Sequence, residues 1–149
     1  TKEKIIQWIK DNNYNVDLYT LSDTSMLPKI HNKGPADSIT MMPKIIKSSK
    51  ININFTNKPI SSGLPLRIFD IMGCGGFLIS NYQPEISELF EINNDIVVYK
   101  SIEDLIQKTD YYLHHEDERM AIAKSGYNKV KTYFSYANRL KEMLDIAIS

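Results

Sequence analysis

The apolar positions change period along the chain, and the changes mark out its elements. Ile5, Ile6 and Ile9, with Trp8 beside them, form a helical stripe that Asp11-Asn12-Asn13 brings to an end. Val16 to Leu21 is strand-like. The polar stretch that follows is broken by Pro28, Gly34 and Pro35, and a short strand is expected near Ala36 to Ile39. Met41 to Ser49 has the pattern of a short helix. Ile51-Asn52-Ile53-Asn54-Phe55 alternates with period 2 and is the clearest strand by pattern. The loop from Thr56 to Gly63 then leads into a helix with Pro65 in its first turn and Leu66, Phe69 and Met72 expected inward. Gly73-Cys74-Gly75-Gly76 stops it, and Phe77 to Ser80 is a short buried strand. Pro84 opens a helix through Phe90, and Asp95 to Tyr99 is a strand. Ser101 caps the next helix, with Glu103 and Asp104 in its first turn. From Glu116 onward the pattern predicts one or two long helices, with Gly126 a weak point.

Strand alternating with helix means parallel strands joined by crossover helices, so the expected class is α/β: a Rossmann-like, doubly wound parallel sheet with helices on both faces. At 149 residues the chain holds one core and no second domain of ordinary size, so residues 1–149 are read as a single domain. Its 18 basic and 18 acidic residues cancel, which leaves no long-range field to recruit nucleic acid or an anionic membrane surface. No apolar run approaches the roughly 20 residues of a transmembrane helix. The single Cys74 fits a reducing compartment, and a cytoplasmic location is expected. One Cys and no Asp/His cluster give no support to a metal site.

Gly73-x-Gly75-Gly76 invites a dinucleotide-fingerprint reading, which fails on polarity. A phosphate-cradling glycine loop leaves a strand and enters a helix, so that free N–H groups face the anion. Here the helix precedes the glycines and the strand follows, so they read as a helix C-cap and a tight turn. The segment with the right polarity is Ile51 to Phe55, then the loop, then the helix from Pro65 to Asp70. That loop lies beyond the carboxyl end of a strand, where open α/β sheets bind ligands. It offers Ser61, Ser62 and Gly63, then the first N–H groups of a helix at Leu64 and after. Arg67 lies near the helix N-terminus, where a cation is unfavourable for the dipole unless an anion arrives. Asp70, three residues on, shares its helix face and could meet ribose hydroxyls while Arg67 meets a diphosphate. The competing reading is a surface Arg67–Asp70 ion pair beside an ordinary turn, and the residues by themselves weigh the two equally.

Four blocks carry a resemblance: Ile51-Asn-Ile-Asn-Phe-Thr56, Pro65-Leu-Arg-Ile-Phe-Asp70, Gly73-Cys-Gly-Gly-Phe77, and Pro84-Glu-x-x-Glu-Leu-Phe90. With Thr132-Tyr133 and Arg139 further on, they resemble the C-terminal domain of group-1 glycosyltransferases of GT-B fold, closest to the spore-maturation-type, CgeB-like branch. The resemblance covers most of the chain, most clearly from about Lys44 onward. It implies a domain that binds a nucleoside diphosphate-sugar as substrate, such as a UDP-sugar, with no separate cofactor and no obligatory metal. The family's two glutamates, eight positions apart, fall on Ser62 and Asp70. Asp70 keeps the carboxylate expected to hold ribose, whereas Ser62 has lost the charge, so the sugar contacts of that position do not carry over. Arg67 matches the arginine of the CgeB-like branch, which implies a diphosphate-facing role.

Such a transferase also needs an N-terminal acceptor domain, so this chain is expected to be a fragment that transfers no sugar by itself. His31, Lys33, Gly34, Asn57 and Lys58 are loop positions that could approach the donor site. His114 and His115, adjacent near a helix end, read as solvated. In related enzymes the last helix crosses to the other domain, and apolar surface exposed on it would favour self-association. The rival to a transferase domain is a non-enzymatic α/β module that binds a nucleotide or a protein partner, a reading that the loss at Ser62 keeps open. A flavodoxin-like or NAD-dependent reading lacks its fingerprint.

Overall fold

A computed structural model describes residues 2–18, 30–33, 40–55 and 64–148. Helix α1 (Lys2–Asn12) ends at Asn13, whose φ of 54° turns the chain toward β1 (Val16–Leu18). Strand β2 (Ile30–Asn32) pairs parallel with β1, Val16 opposite Ile30. It lies in the stretch expected to be polar loop, so His31 sits in a strand opposite Asp17 and not in a loop. The expected strand at 36–39 and the end of the first strand, 19–21, fall outside the described residues.

The main sheet is three parallel strands in the order β3-β4-β5: Asn52–Asn54, Leu78–Asn81 and Val97–Tyr99. Helix α2 (Met41–Ser48) precedes it, and α3 (Leu66–Gly73) and α4 (Pro84–Leu89) make the crossovers. Helices α5 (Ile102–His114), α6 (Glu116–Tyr133) and α7 (Tyr136–Ile148) follow. Because side chains alternate along a strand, the sheet feeds two cores. Leu78 and Val98 point into one, with Ile46, Ile68, Ile71, Met72, Ile86 and Val130. Ile79, Val97 and Tyr99 point into the other, with Leu105, Tyr112 and Ile122. Helices therefore cover both faces, and the chain is a mixed α/β, Rossmann-like domain.

Two expectations about α3 and α6 are corrected. Leu66 is 79% exposed, while Ile68, Ile71 and Met72 form the inward stripe. Phe69 is half-buried, its ring against Phe90 and Phe134. Gly126 does not weaken the long helix, which runs unbroken from Glu116 to Tyr133 and ends at Phe134. It lets α6 approach its neighbours closely: a Cβ there would overlap the Asp95 carbonyl and come within 2.8 Å of Met72 Cε.

The glycine run is a helix stop. Gly76 N–H donates to the Ile71 carbonyl and Gly75 N–H to the Met72 carbonyl, both at 3.0 Å, with Gly75 at φ 78°. That is the paired 6→1 and 5→2 bonding of a Schellman motif. A Cβ at Gly76 would overlap Ile46 and lie 2.9 Å from Asn52 Nδ2, so the turn is packed closely against α2 and β3 at that residue.

Candidate functional site

The described part of the candidate site is the start of α3 and the cleft between it and α2. Pro65 occupies the N-cap position and makes no side-chain cap, and no acidic residue stands in the first turn. Ile68 N–H reaches the Pro65 carbonyl at 3.1 Å, but the N–H groups ahead of it have no carbonyl within the helix to receive them. Among the described residues, the half-positive end of the helix is thus neither capped nor neutralised.

Arg67 and Asp70 are both exposed and line the same wall of a cleft of about 560 Å³. The inward stripe of α3 fixes their direction: with Ile68, Ile71 and Met72 in the core, positions 67 and 70 must face out together. The opposite wall is Met42, Pro43 and Ile46 of α2, and Phe69, Gly73 and Cys74 complete the lining. Neither Arg67 nor Asp70 makes an ion pair or a side-chain hydrogen bond among the described residues. The surface ion pair that offered the competing reading is therefore absent there.

The other positions named from the sequence are distributed differently. Leu64 is half-buried against the core beneath α3, so its side chain serves packing and only its backbone is available to a ligand. Ser62, Gly63, Asn57, Lys58 and Gly34 lie outside the described residues. Lys33 is exposed just after β2, and His31 belongs to that strand. Met42 and Pro43 were not anticipated as lining, because nothing in a helical pattern reveals which neighbouring helix will face it.

The carboxyl ends of the strands are tied together by buried polar contacts. Asn54 Nδ2 donates to Ser80 Oγ at 3.1 Å, and the Tyr99 hydroxyl donates to the Asn54 carbonyl at 3.2 Å. Burial pushes the Tyr99 phenol up from 10.0 to about 12, so it stays a neutral donor. These bonds hold the end of β3, and with it the root of the loop into α3, against β4 and β5. No three His, Cys, Asp or Glu side chains gather into a candidate metal site among the described residues. Nor is any described helix long and apolar enough to cross a membrane.

A family model described as glycosyl transferase-like matches residues 2–145, nearly the whole chain from α1 into α7. No curated protein matches it. On the extent of that match, the chain belongs to the glycosyl transferase-like family.

Proposed function

We propose that this domain binds the nucleoside diphosphate-sugar donor of a glycosyltransferase, in the manner of the CgeB-like branch, at the start of α3. The observation that carries the reading is the pair Arg67 and Asp70, exposed side by side and free of each other at an uncapped helix N-terminus. Arg67 and the first N–H groups of α3, with Ser62, Gly63 and the Leu64 backbone, would take the diphosphate. Asp70 would accept from the ribose hydroxyls. His31, Lys33, Gly34, Asn57 and Lys58 are candidates for outer contacts.

Chemistry at such a site is mostly positioning. As the glycosidic bond breaks, negative charge grows on the departing diphosphate, and fixed N–H dipoles with a guanidinium stabilise it without reorganising. The acceptor, and any base that activates it, would come from another domain. The 149-residue chain by itself is accordingly expected to bind donor and to form no glycosylated product. We place it in the cytoplasm, without a metal requirement and without a nucleic-acid partner. The test is calorimetric titration with UDP and other nucleoside diphosphates, with and without EDTA. Weak binding indifferent to EDTA is expected. Strict dependence on a divalent ion would remove the metal-free site, and binding of no nucleotide at all would favour a protein-interaction module.

A further inference from the structure

A second pocket lies at the other end of the sheet, where the amino ends of β3 and β4 meet the start of α6. It measures about 280 Å³, and its charged lining is Lys47, Lys50, Arg119 and Glu116. Three cations to one carboxylate is a local excess in a chain whose total charge is zero. Ser48 and Ser49 also line it, but their hydroxyls donate to the Ile45 carbonyl of their own helix at 3.0 and 2.7 Å. At Gly75, with φ 78°, no atom lies within 4 Å of where a Cβ would stand, so the backbone of that wall is open.

Arg119 makes the pocket more than a patch of surface lysines. It is 6% exposed, yet the chain satisfies little of it. Nη1 donates to the Tyr112 carbonyl at 2.6 Å, while Nη2 stands 3.8 Å from Glu116 Oε1, beyond hydrogen-bond range. A guanidinium carries five N–H donors. Thr109 Oγ1 is the sole sealed side-chain polar atom without a partner among the described residues. The unbonded guanidinium nitrogens are therefore not fully sealed, and Arg119 is among the residues that line this pocket. A buried, oriented, underbonded guanidinium with two mobile ammonium groups at the rim suits a tetrahedral oxyanion. Glu116 is the competitor, and its side chain is 73% exposed, so it can swing aside.

We infer that this pocket is a phosphate-binding site, separate from the α3 cleft, taking inorganic phosphate or the phosphate of a small monoester. Bound there, the anion bridges the end of α2 to the start of α6 and stabilises the domain. The experiment is an NMR titration of the whole chain with inorganic phosphate, matched against chloride at equal ionic strength and repeated with glycerol phosphate. Phosphate should shift the amides of residues 47–50, 75–77 and 116–123 saturably and raise the melting temperature. The double variant Lys47→Ala/Lys50→Ala, which alters only exposed side chains, should weaken binding roughly tenfold. Glu116→Gln should strengthen it. Tighter binding of glycerol phosphate would identify a monoester as the ligand, and equal or weaker binding the free ion. Equal shifts with chloride, shifts confined to residues 64–70, or unchanged affinity in the double variant would each overturn the site.

Discussion

Helices α3 and α5 each follow a strand of the same parallel sheet, yet their first turns are built in opposite ways. At α5, Ser101 Oγ accepts from Asp104 N–H at 3.1 Å, and Glu103 and Asp104 offset the helix dipole. Asp104 also accepts from Lys100 N–H and from Lys108, so the chain completes that helix start from its own residues. At α3 there is no side-chain cap and no acid, and a cation stands where the dipole disfavours one. One helix start is finished by the chain's own residues. The other is not, among the described residues, and that contrast is what the proposed donor site rests on.

The packing beneath the two starts differs as well, and the largest predicted effect exploits it. Leu105 of α5 is 1% exposed, so Leu105→Ala should cost about 2–5 kcal/mol in urea denaturation. Leu66 of α3 is 79% exposed, and Leu66→Ala should change stability by less than about 0.5 kcal/mol. Comparable losses at both positions would mean that α3 is anchored through its outer face. Removing the cap comes next: Ser101→Ala should cost about 0.5–2 kcal/mol while nucleotide affinity stays at the parent value. A fall in affinity would show that the α5 start belongs to the ligand site too.

The smallest of these concerns the bond between the two strand ends. Tyr99→Phe removes the donor to the Asn54 carbonyl and should cost about 0.5–1.5 kcal/mol near neutral pH. The phenol's folded pKa, about 12, exceeds its ordinary value of 10.0. A raised folded pKa gives stability that is present in full below pH 10 and is lost as the pH climbs toward 12. Tyr14, held neutral mainly by its hydrogen bond to Asp110, titrates in the same window. Denaturation across this range should therefore show falling stability, with a shallower fall in Tyr99→Phe. An identical slope in the variant would assign the whole loss to other groups.

What the sequence disclosed follows from how local each signal is. The alternation at Ile51 to Phe55, the Ser101 cap and the glycine stop after Met72 are written in neighbouring residues; the cap and the stop stand in the structure as read, and the strand is there as Asn52–Asn54, with Asn54 buried and Phe55 exposed. Strand β2 was missed because Ile-His-Asn is too short and too polar to show a period. Leu66 was misplaced because α3 is apolar nearly all round. Leu66-Phe69-Met72 and Ile68-Ile71-Met72 are both valid helical stripes, and only the sheet decides between them. Gly126 misled for a related reason. Intrinsic propensity marks it as a weak point, but the requirement it meets comes from Asp95 and Met72, far away in sequence. Of the candidate site, Arg67 and Asp70 were legible from their spacing, whereas the α2 wall opposite them was not.

The role proposed for the start of α3 is to receive the donor's diphosphate. It is tested most directly by Arg67→Glu, with nucleoside diphosphate affinity and urea stability measured on the same preparation. An acid in that first turn suits the helix dipole, so stability should rise by about 0.3–1 kcal/mol. Affinity should fall by more than roughly tenfold, since a charge-assisted contact worth about 1.5–3 kcal/mol is lost and replaced by repulsion. A variant that binds nucleotide as tightly as the parent would contradict the claim and return Arg67 to the surface.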